Sequence, residues 1–414
     1  MPVSHSTNSR TKRRILSTLP EITEHPSWRR VVRSVQEQRE WLDHLQVELT
    51  EIPAPTFQES ARAEYVADRF RELGLQRVRL DKAGNALGEK TGANSGVVVL
   101  AAHLDTVTPP GVPIEVKRTN GRLCAPGISD NGAGLAAMLG IVAALQKTGI
   151  ATDYSLLFAA TVGEEGEGDL YGMRHLFAQQ DLCRRTAGVF VLDGSATNQI
   201  TVAGLGSRRF RVEITGPGGH SWSDFGRVNP IQAVASAVAE LGRVPLPSKP
   251  RSSLNVGMIH GGTAVNAIPQ SAWVKVDIRS TSAEEIERLT EALERAVRAA
   301  VQQESERASG ELEVNITALG DRPVAELPES ACILRVVQEV DRHLGIRSRL
   351  ERSSTDANIP LSLGIEAIAT GGGGTSGDAH TLREWYDPRG RDLGVKRLAL
   401  AILMTAGVVE EGEG

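Results

Sequence analysis

Short, almost wholly apolar runs rich in β-branched residues recur along the chain and alternate with segments of helical spacing. Four of these runs are GVVVLAA before His103, YSLLFAATV before Glu164, GVFVLD ending at Asp193, and EAIAT before the glycines at 371–374. Continuous apolarity of this kind is typical of strands in a parallel sheet that helices cover on both faces. The intervening GAGLAAMLGIVAALQ and YGMRHLFAQQ have helical length and spacing. The pattern therefore predicts an α/β domain.

The N-terminal part is predicted to contain a tail and two helices. Apolar residues recur at three- and four-residue spacing in WRRVVRSVQEQREWLDHLQVELTEI, and Pro53 and Pro55 follow its end. A second helix is predicted at about 58–73. Residues 1–28 carry a basic patch but no apolar stretch of the kind that secretory signals contain, so we expect a flexible tail there.

Between about 206 and 318 the elements follow a different order. The stretch reads as strand SRRFRVEIT, helix PIQAVASAVAELGR, strands SSLNVGMIHG and SAWVKVDIRS, helix AEEIERLTEALERAVRAAVQQES and strand LEVNITAL. That βαββαβ order is typical of a ferredoxin-like split motif. We therefore predict a domain at 206–318, inserted into a larger domain built from 29–205 and 319–414.

Composition narrows the class of protein. With 414 residues, of which 40% are hydrophobic, the chain is long enough for more than one domain with a real core. The net charge of −5 provides no basic field for nucleic acid, and no apolar run approaches the roughly 18 residues of a membrane span. Three widely spaced cysteines suit reduced thiols better than a disulfide framework. We therefore expect a soluble, cytoplasmic protein.

Each predicted strand leads to an ionisable residue or to a glycine turn. Ligands of open α/β sheets bind beyond the carboxyl ends of the strands, so His103, Asp193 and the pair Glu164 and Glu165 are expected to share one rim. His380, in GDAHTLREW, is a candidate to join them. Two neighbouring carboxylates raise each other's pKa unless a positive charge lies close by. The glutamate pair therefore predicts a cation at this rim.

Five potential ligands, two imidazoles and three carboxylates, form a donor set suited to zinc, manganese or cobalt. They are His103, Asp130, Glu165, Asp193 and His380. Taken singly, each has a simpler explanation: Asp130 suits a helix N-cap, and the glutamate pair suits a solvated turn. Asp105 lies two residues after His103, where an extended backbone would let it accept the second N–H of the imidazole.

Seven motifs occur in the order in which one family of zinc peptidases and amidohydrolases carries them. They are HLDTV, GISDNGAG, GEEGEG, VLDG, GPGGHS, GGTAVNAIP and GGGGTSGDAHTLREW, within roughly residues 40–410. In these motifs the chain resembles the family of carboxypeptidase G, peptidase T, aminoacylase and succinyl-diaminopimelate desuccinylase. It departs from the family's pattern at Asn131, where many members have a second acid, and in the glycine-rich run before GDAH.

The resemblance implies a metal centre with two divalent ions, most often zinc. Asp130 would bridge the ions, with His103 and Asp193 at one and Glu165 and His380 at the other. Asp105 would orient His103, and Glu164 would be the general base. The implied fold is a mixed, mostly parallel sheet flanked by helices, with the inserted domain as a lid and as the surface of a homodimer.

The inserted domain carries three further candidates. By resemblance, His220 in GPGGHS would help to polarise the scissile carbonyl, in its own subunit or across the dimer. Asn266 and Arg279 would hold a carboxylate of the substrate. From the residues alone, alternation in SAWVKVDIRS places Arg279 on the polar face of a strand, for which a solvated surface is the alternative.

These observations predict metal-dependent hydrolysis of amide bonds in short peptides. A deacylase of N-acyl amino acids shares the chemistry and stays open, as does a catalytically silent metal-binding scaffold. Glu164 argues against the scaffold, because a protein without catalysis needs no general base. The glycines at 371–374 suggest a phosphate loop, but no Gly-Lys-Ser/Thr follows them. We expect them to let the backbone approach the substrate.

Overall fold

The computed structural model describes residues 14–410, which divide into two units. The first unit runs to Val202 and resumes over Leu327–Glu351 and from Thr355 onward. The second unit comprises Ala203–Glu326 and Arg352–Ser354. The stretch predicted as an inserted domain, 206–318, thus falls within the second unit.

The helices and strands within residues 14–204 are, in chain order, β1 Arg14–Leu16, α1 Leu19–Glu24, α2 Pro26–Glu37, α3 Arg39–Glu51, α4 Ser60–Glu72, β2 Gln76–Leu80, β3 Ala86–Lys90, β4 Val97–His103, β5 Lys117–Thr119, β6 Arg122–Cys124, α5 Gly132–Thr148, β7 Ser155–Thr161, α6 Tyr171–Phe177, α7 Gln180–Arg185, β8 Thr186–Leu192 and β9 Gln199–Gly204. A short 3-10 helix covers Gly166–Gly168.

The next elements are β10 Gly206–Thr215, β11 Gly219–His220, α8 Pro230–Leu241, β12 Ser252–Gly261, β13 Ala267–Ile268, β14 Ser271–Ser280, α9 Ala283–Arg307, β15 Glu313–Arg322 and β16 Ala325–Glu326. The remaining elements are α10 Cys332–Leu344, β17 Arg349–Ser353, α11 Asn358–Ser362, β18 Ala367–Thr370, β19 Thr375–Gly377, β20 Trp385–Asp387, α12 Arg391–Ala406 and β21 Val408–Glu410.

The first unit is built around one mixed sheet. Its centre is parallel and runs in the order β18, β8, β4, β7. The strands β3 and β2 continue it beyond β7, and β9 continues it beyond β18, all in antiparallel pairing. Every residue of β4 and β7 is buried, which explains their continuous apolar sequence. The predicted mixed α/β fold is therefore confirmed, with the parallel pairing confined to the centre of the sheet.

Helix α5 shows how the sequence covers this sheet. Its side chains are apolar on nearly every face and most are buried, as expected of a helix enclosed on all sides. It begins after Asn131, whose side chain accepts the N–H of Gly134, and ends at Gly149 in the left-handed conformation. It packs against β4, β8 and α12. Helix α5 thus packs against the two strands, β4 and β8, whose ends form the rim.

The second unit contains an antiparallel sheet in the order β12, β14, β10, β15. Buried and half-buried residues alternate along β14, as the sequence pattern predicts. The helices α8 and α9 pack against β14, and the core lies between the helices and the sheet. The elements occur in the predicted βαββαβ order.

Two predictions about the ends of elements are wrong. The tail predicted for 1–28 cannot extend past residue 13, because Arg14–Leu16 pairs with Val408–Glu410 and Ile22 is buried; residues 1–13 lie outside the described part. The first predicted helix is also interrupted at Gln38, whose side chain donates to the carbonyl of Gly140 at 2.9 Å.

Within the described residues, no helix combines the length and the apolarity that a membrane crossing requires.

The glycines at 371–374 have a packing role that the sequence did not indicate. A Cβ atom on Gly371 would lie 2.1 Å from the main-chain nitrogen of Ala196, and one on Gly373 would lie 2.6 Å from the main-chain oxygen of Arg391. Gly373 and Gly374 also have φ angles of 100° and 86°, which favour glycine. The run lets the backbone approach other parts of the protein, and its approach to a substrate stays a prediction.

Candidate metal centre

His103, the last residue of β4, is buried and contacts two of the predicted site residues. Its Nε2 lies 3.0 Å from Oδ1 of Asp130. Its Nδ1 lies 3.0 Å from the main-chain oxygen of Asp105 and 3.5 Å from Oδ1 of the same residue. Burial lowers the pKa of His103, but hydrogen bonds to Asp105 and Asp130 outweigh it, and the pKa lies well above its ordinary value.

Asp130 directs one carboxylate oxygen toward each of two imidazoles. Oδ1 faces His103, and Oδ2 lies 2.9 Å from Nε2 of His380. The same Nε2 lies 3.0 Å from Oε1 of Glu165. Hydrogen bonds to Asp130 and Glu165 raise the pKa of His380 to about 11. His380 has a φ of 63°, a left-handed conformation that side-chain-bearing residues seldom adopt and that is often found at functional sites.

The predicted ligands fall into two groups that share Asp130. His103, Asp130 and Asp193 form one group, and Asp130, Glu165 and His380 form the other. In each group the ligand atoms lie within 4.8 Å of one another. A further group joins Glu164 to His103 and Glu165. All five ligand candidates and Glu164 thus meet at one rim of the sheet.

Asp193 shows why this rim suits a cation. Burial, together with the nearby Asp130 carboxylate, raises the pKa of Asp193 to about 7. Without a positive ion beside it, Asp193 therefore holds its charge poorly. Two imidazoles and three carboxylates are the donor types that zinc, manganese and cobalt accept. The residues present fit two divalent ions.

Asp105 has a second function in the geometry, which the sequence did not predict. Its Oδ1 accepts the main-chain N–H of Glu164 at 2.9 Å, and its Oδ2 accepts that of Glu165 at 2.9 Å. The Thr56 hydroxyl donates to Oδ2 at 2.9 Å. One carboxylate beside His103 therefore also holds the backbone of the glutamate pair in place.

Asn131, the departure from the resembled family, bridges the two residues that flank Asp193. Its side-chain amide donates to the carbonyl of Leu192 at 2.7 Å, and its side-chain oxygen accepts the N–H of Gly194 at 3.2 Å. A carboxylate has no hydrogen to donate to Leu192. Asparagine is therefore the residue that can hold both sides of Asp193.

The sequence did not indicate Glu384 as a site residue. This buried carboxylate accepts the main-chain N–H groups of Gly127 at 2.8 Å, Ser129 at 2.7 Å and Asp130 at 2.9 Å. It also accepts the Ser129 hydroxyl at 2.6 Å. Burial raises the pKa of Glu384, although these hydrogen bonds oppose the rise. The only sequence signal is an acid four residues after His380, and nothing in the sequence ties it to Asp130.

Arg62 was also missed, because a charged residue in an amphipathic helix is usually exposed. Its guanidinium is buried and donates to the carbonyls of Leu104 at 2.7 Å and Ile52 at 2.6 Å. Burial lowers the pKa of Arg62 to about 10. Leu104 lies between His103 and Asp105, so Arg62 holds the backbone that joins these two site residues.

The other three predicted residues belong to the second unit. Nδ1 of His220 accepts the main-chain N–H groups of Trp222 at 3.2 Å and Ser223 at 3.3 Å. Because Nδ1 accepts these bonds, Nε2 is the ring nitrogen that can donate a hydrogen bond. The N–H of Ser221 donates to the carbonyl of Asn266 at 3.0 Å, so His220 and Asn266 lie on adjoining segments.

Arg279, on β14, lies in a chain of ion pairs on one face of the second unit's sheet. Its Nε donates to Oδ2 of Asp277 at 2.7 Å, and Nε of Arg209 donates to Oδ1 of the same aspartate at 3.0 Å. The Arg279 side chain is partly exposed. Asp277 thus orients two guanidinium groups at once.

Known proteins resemble this chain in sequence and in fold. Residues 99–404 match the model of Peptidase family M20/M25/M40. A region of 220 residues is 32% identical to a "Probable carboxypeptidase" of Ajellomyces capsulatus, over 48% of this chain and 49% of that protein. The chain thus spans about half the length of that relative.

Two further proteins are similar to this chain, one in sequence and one in fold. A region of 241 residues is 29% identical to succinyl-diaminopimelate desuccinylase of Corynebacterium glutamicum, over 56% of this chain and 64% of that protein. The crystal structure of a tripeptidase from Staphylococcus aureus matches 89% of this chain and 98% of that chain with a TM-score of 0.72. At 23% sequence identity, this second likeness shows the fold alone.

Proposed function

Because the chain belongs to Peptidase family M20/M25/M40, we propose that it is a metal-dependent hydrolase of amide bonds in short peptides. The observation that carries the proposal is the position of Asp130, with one carboxylate oxygen beside His103 and the other beside His380. A carboxylate shared by two groups of ligands is the arrangement that a two-ion site needs.

His103, Asp130 and Asp193 would hold one divalent ion, and Asp130, Glu165 and His380 would hold the other. Zinc is the ion that the donor set suits best, and manganese and cobalt are alternatives. When bound, such a pair lowers the pKa of a water molecule to roughly 7 and polarises the scissile carbonyl. Asp105, which contacts His103 through its main-chain oxygen and its carboxylate, keeps the imidazole oriented.

Glu164 acts as the general base in this proposal. Its side chain is buried and shares a group with His103 and Glu165. It takes a proton from the attacking water and delivers that proton to the leaving amine. Because Asp105 holds the backbone of both glutamates, Glu165 can remain a ligand while Glu164 moves the proton.

The second unit contributes substrate binding. Because its Nδ1 already accepts two main-chain N–H groups, His220 would use Nε2 to donate a hydrogen bond to the scissile carbonyl oxygen. Arg279 and Asn266 are proposed to bind a carboxylate of the substrate, for which a guanidinium offers two parallel hydrogen bonds. The unit would then serve as a lid that excludes water from the reaction.

A panel of di- and tripeptides tests the proposal. We expect hydrolysis in the presence of zinc, manganese or cobalt, loss of hydrolysis with a chelator, and recovery when metal is added back. Hydrolysis at full rate in protein shown to be free of metal would contradict the metal-dependent mechanism.

Deacylation of N-acyl amino acids is the second candidate, favoured by the 29% identity to succinyl-diaminopimelate desuccinylase. The same residues would perform it, since the bond broken is again an amide. N-acetyl and N-succinyl amino acids, assayed beside the peptides, separate the two: a higher kcat/KM for the acylated compounds would assign a deacylase.

We also propose a cytoplasmic homodimer that assembles through the second unit. In that unit β12 is an end strand of the sheet, with Met258 and Ile259 exposed. Exposed end strands readily pair with another chain. The unpaired cysteines Cys124, Cys183 and Cys332 suit a reducing compartment. Sedimentation at micromolar concentration tests the assembly, and a monomer there would contradict it.

A further inference from the structure

A cleft of about 350 Å³ in the first unit opens beside His380, and its wall is mainly apolar. The side chains that matter here are Val107, Pro109, Val112, Pro126, Leu382 and His380. His380 belongs both to this wall and to the group formed with Asp130 and Glu165. A molecule held by the group that contains His380 would therefore lie beside the cleft. The volume lies at the lower end of the range for small-molecule sites, roughly 300–1,000 Å³.

Two exposed apolar side chains form part of the wall, each two residues after a residue of the centre. Val107 follows Asp105 and is 43% exposed, and Leu382 follows His380 and is 70% exposed. Exposed apolar side chains that are scattered singly need no explanation, but a group of them around a cleft marks a binding surface. The chain thus presents apolar surface within reach of the reacting bond.

Two polar side chains of the wall, those of Thr381 and Glu384, are already engaged with the protein. The Thr381 hydroxyl donates to the carbonyl of Asp378 at 2.7 Å and accepts the N–H of Arg383 at 3.1 Å. The Glu384 carboxylate accepts the hydrogen bonds of the turn before Asp130. A charged side chain that entered the cleft would lose its hydration without gaining a partner from these groups. An apolar side chain would gain free energy by moving from water into the cleft.

We infer that this cleft binds an apolar side chain of the substrate, next to the amide bond that is cleaved, with Leu382 and Val107 as specificity-determining residues. The inference rests on the proposed function and deepens it. The favoured substrates are short peptides or N-acyl amino acids with a leucine-sized residue at that position. One methylene group in such a pocket changes kcat/KM by roughly 10–200-fold, so leucine should be distinguished clearly from glycine.

Matched dipeptides on the metal-loaded enzyme test the inference. Leu-Gly and Gly-Leu place the side chain on either side of the bond, and Gly-Gly, with the aspartate and lysine counterparts, provides the comparison. We expect one of the two leucine peptides to have a kcat/KM at least about 10-fold higher than that of Gly-Gly and of the peptides with aspartate or lysine in place of its leucine. Hydrolysis without this preference, or with lysine or aspartate preferred, would overturn the inference and leave the proposed function standing.

Substitutions at the cleft connect the preference to its wall. Leu382→Ser should reduce the ratio of the leucine peptide to Gly-Gly by roughly 10-fold, and Leu382→Arg should raise the relative rate of the aspartate peptide. Leu363→Ser is the matched control, because Leu363 is 54% exposed and lies outside the cleft. An unchanged order of preference in both Leu382 variants would overturn the inference.

If no peptide of the panel is hydrolysed, that outcome counts against the proposed function. The subsite can then still be tested by measuring binding. Calorimetry with leucine hydroxamate and glycine hydroxamate on the metal-loaded protein then compares the side chains directly. A Kd about 10-fold lower for the leucine compound, lost in Leu382→Ser, supports the subsite. Equal affinities for the two compounds would overturn it.

Discussion

Glu384 accepts the main-chain N–H of Asp130 at 2.9 Å, although 254 residues separate the two in the chain. The same carboxylate accepts the N–H groups of Gly127 and Ser129, so a single acid organises the turn that presents Asp130. Because Asp130 is the residue shared by both ligand groups, its orientation decides whether both groups can form. The position of Glu384 is therefore expected to matter for metal binding.

Glu384→Gln keeps the shape of the side chain but replaces an accepting oxygen with an NH₂ group, which would face N–H groups of the turn. We expect metal affinity to fall roughly 10–100-fold, as is typical when a partner that orients a ligand is lost. Titration of metal into the apo-protein by calorimetry measures this. Exposed Glu329→Gln is the control, and equal affinities in a folded Glu384 variant would contradict the prediction.

Glu164→Gln should separate chemistry from metal binding. Turnover should fall by at least about 10², because the amide cannot take a proton from water, while metal content stays near that of the wild type. Glu167→Gln, at an exposed position in the same turn, is the control. Elemental analysis and steady-state kinetics on the same preparations check both statements. Retained turnover would exclude Glu164 as the base.

Asp130→Ala and His380→Ala should differ in the number of ions lost. Asp130 belongs to both ligand groups and His380 to one, so the first variant should lose both ions and the second should retain one. Metal content after dialysis against a weak chelator, measured by mass spectrometry, distinguishes them. If the Asp130 variant kept one ion as tightly as the His380 variant, the shared position of Asp130 would lose its support.

Asn131→Asp tests the amide that holds the segment around Asp193. The substitution places a carboxylate oxygen against the carbonyl of Leu192, which now receives an N–H at 2.7 Å. We expect the free energy of unfolding to fall by about 1–3 kcal/mol, the usual consequence of an unsatisfied buried group. Denaturant unfolding of the metal-free protein measures it. A variant as stable as the wild type would show that the segment rearranges without loss.

Arg279→Met tests recognition of a substrate carboxylate. The change keeps much of the apolar stem, and losing the charged contact should cost roughly 2–4 kcal/mol in kcat/KM on substrates with a free carboxylate. On amidated substrates the loss should vanish. Arg209→Met is the matched control, because Arg209 pairs with the same Asp277. Equal losses on free and amidated substrates would assign Arg279 a structural role.

The sequence predicted the strands whose physical environment leaves a clear pattern. The strands β4 and β7 are buried along their whole length, so their apolar runs are continuous and their ends indicate where His103 and Glu164 lie. The strands β2 and β1 were not predicted. β2 is largely exposed and reads as QRVRL, and β1 has only three residues, too few for a period to show.

The ligand candidates were predictable because the residue types that bind metals are few, and because His103, Glu165 and Asp193 stand at or just after the ends of buried strands. The residues that support them were not, since Glu384 and Arg62 act through main-chain groups, which every residue carries. A bond from a side chain to a distant backbone leaves no periodicity in the sequence. The consequence of Asn131 was likewise visible only once Leu192 and Gly194 were seen beside its amide.

The buried guanidinium of Arg62 has a consequence for how this protein fluctuates. It joins the carbonyl of Ile52, at the end of α3, to that of Leu104, just beyond β4. Neither segment can detach alone without leaving a buried cation short of acceptors, a cost that makes independent opening rare. We therefore expect the two segments to exchange amide hydrogens with solvent as one cooperative unit.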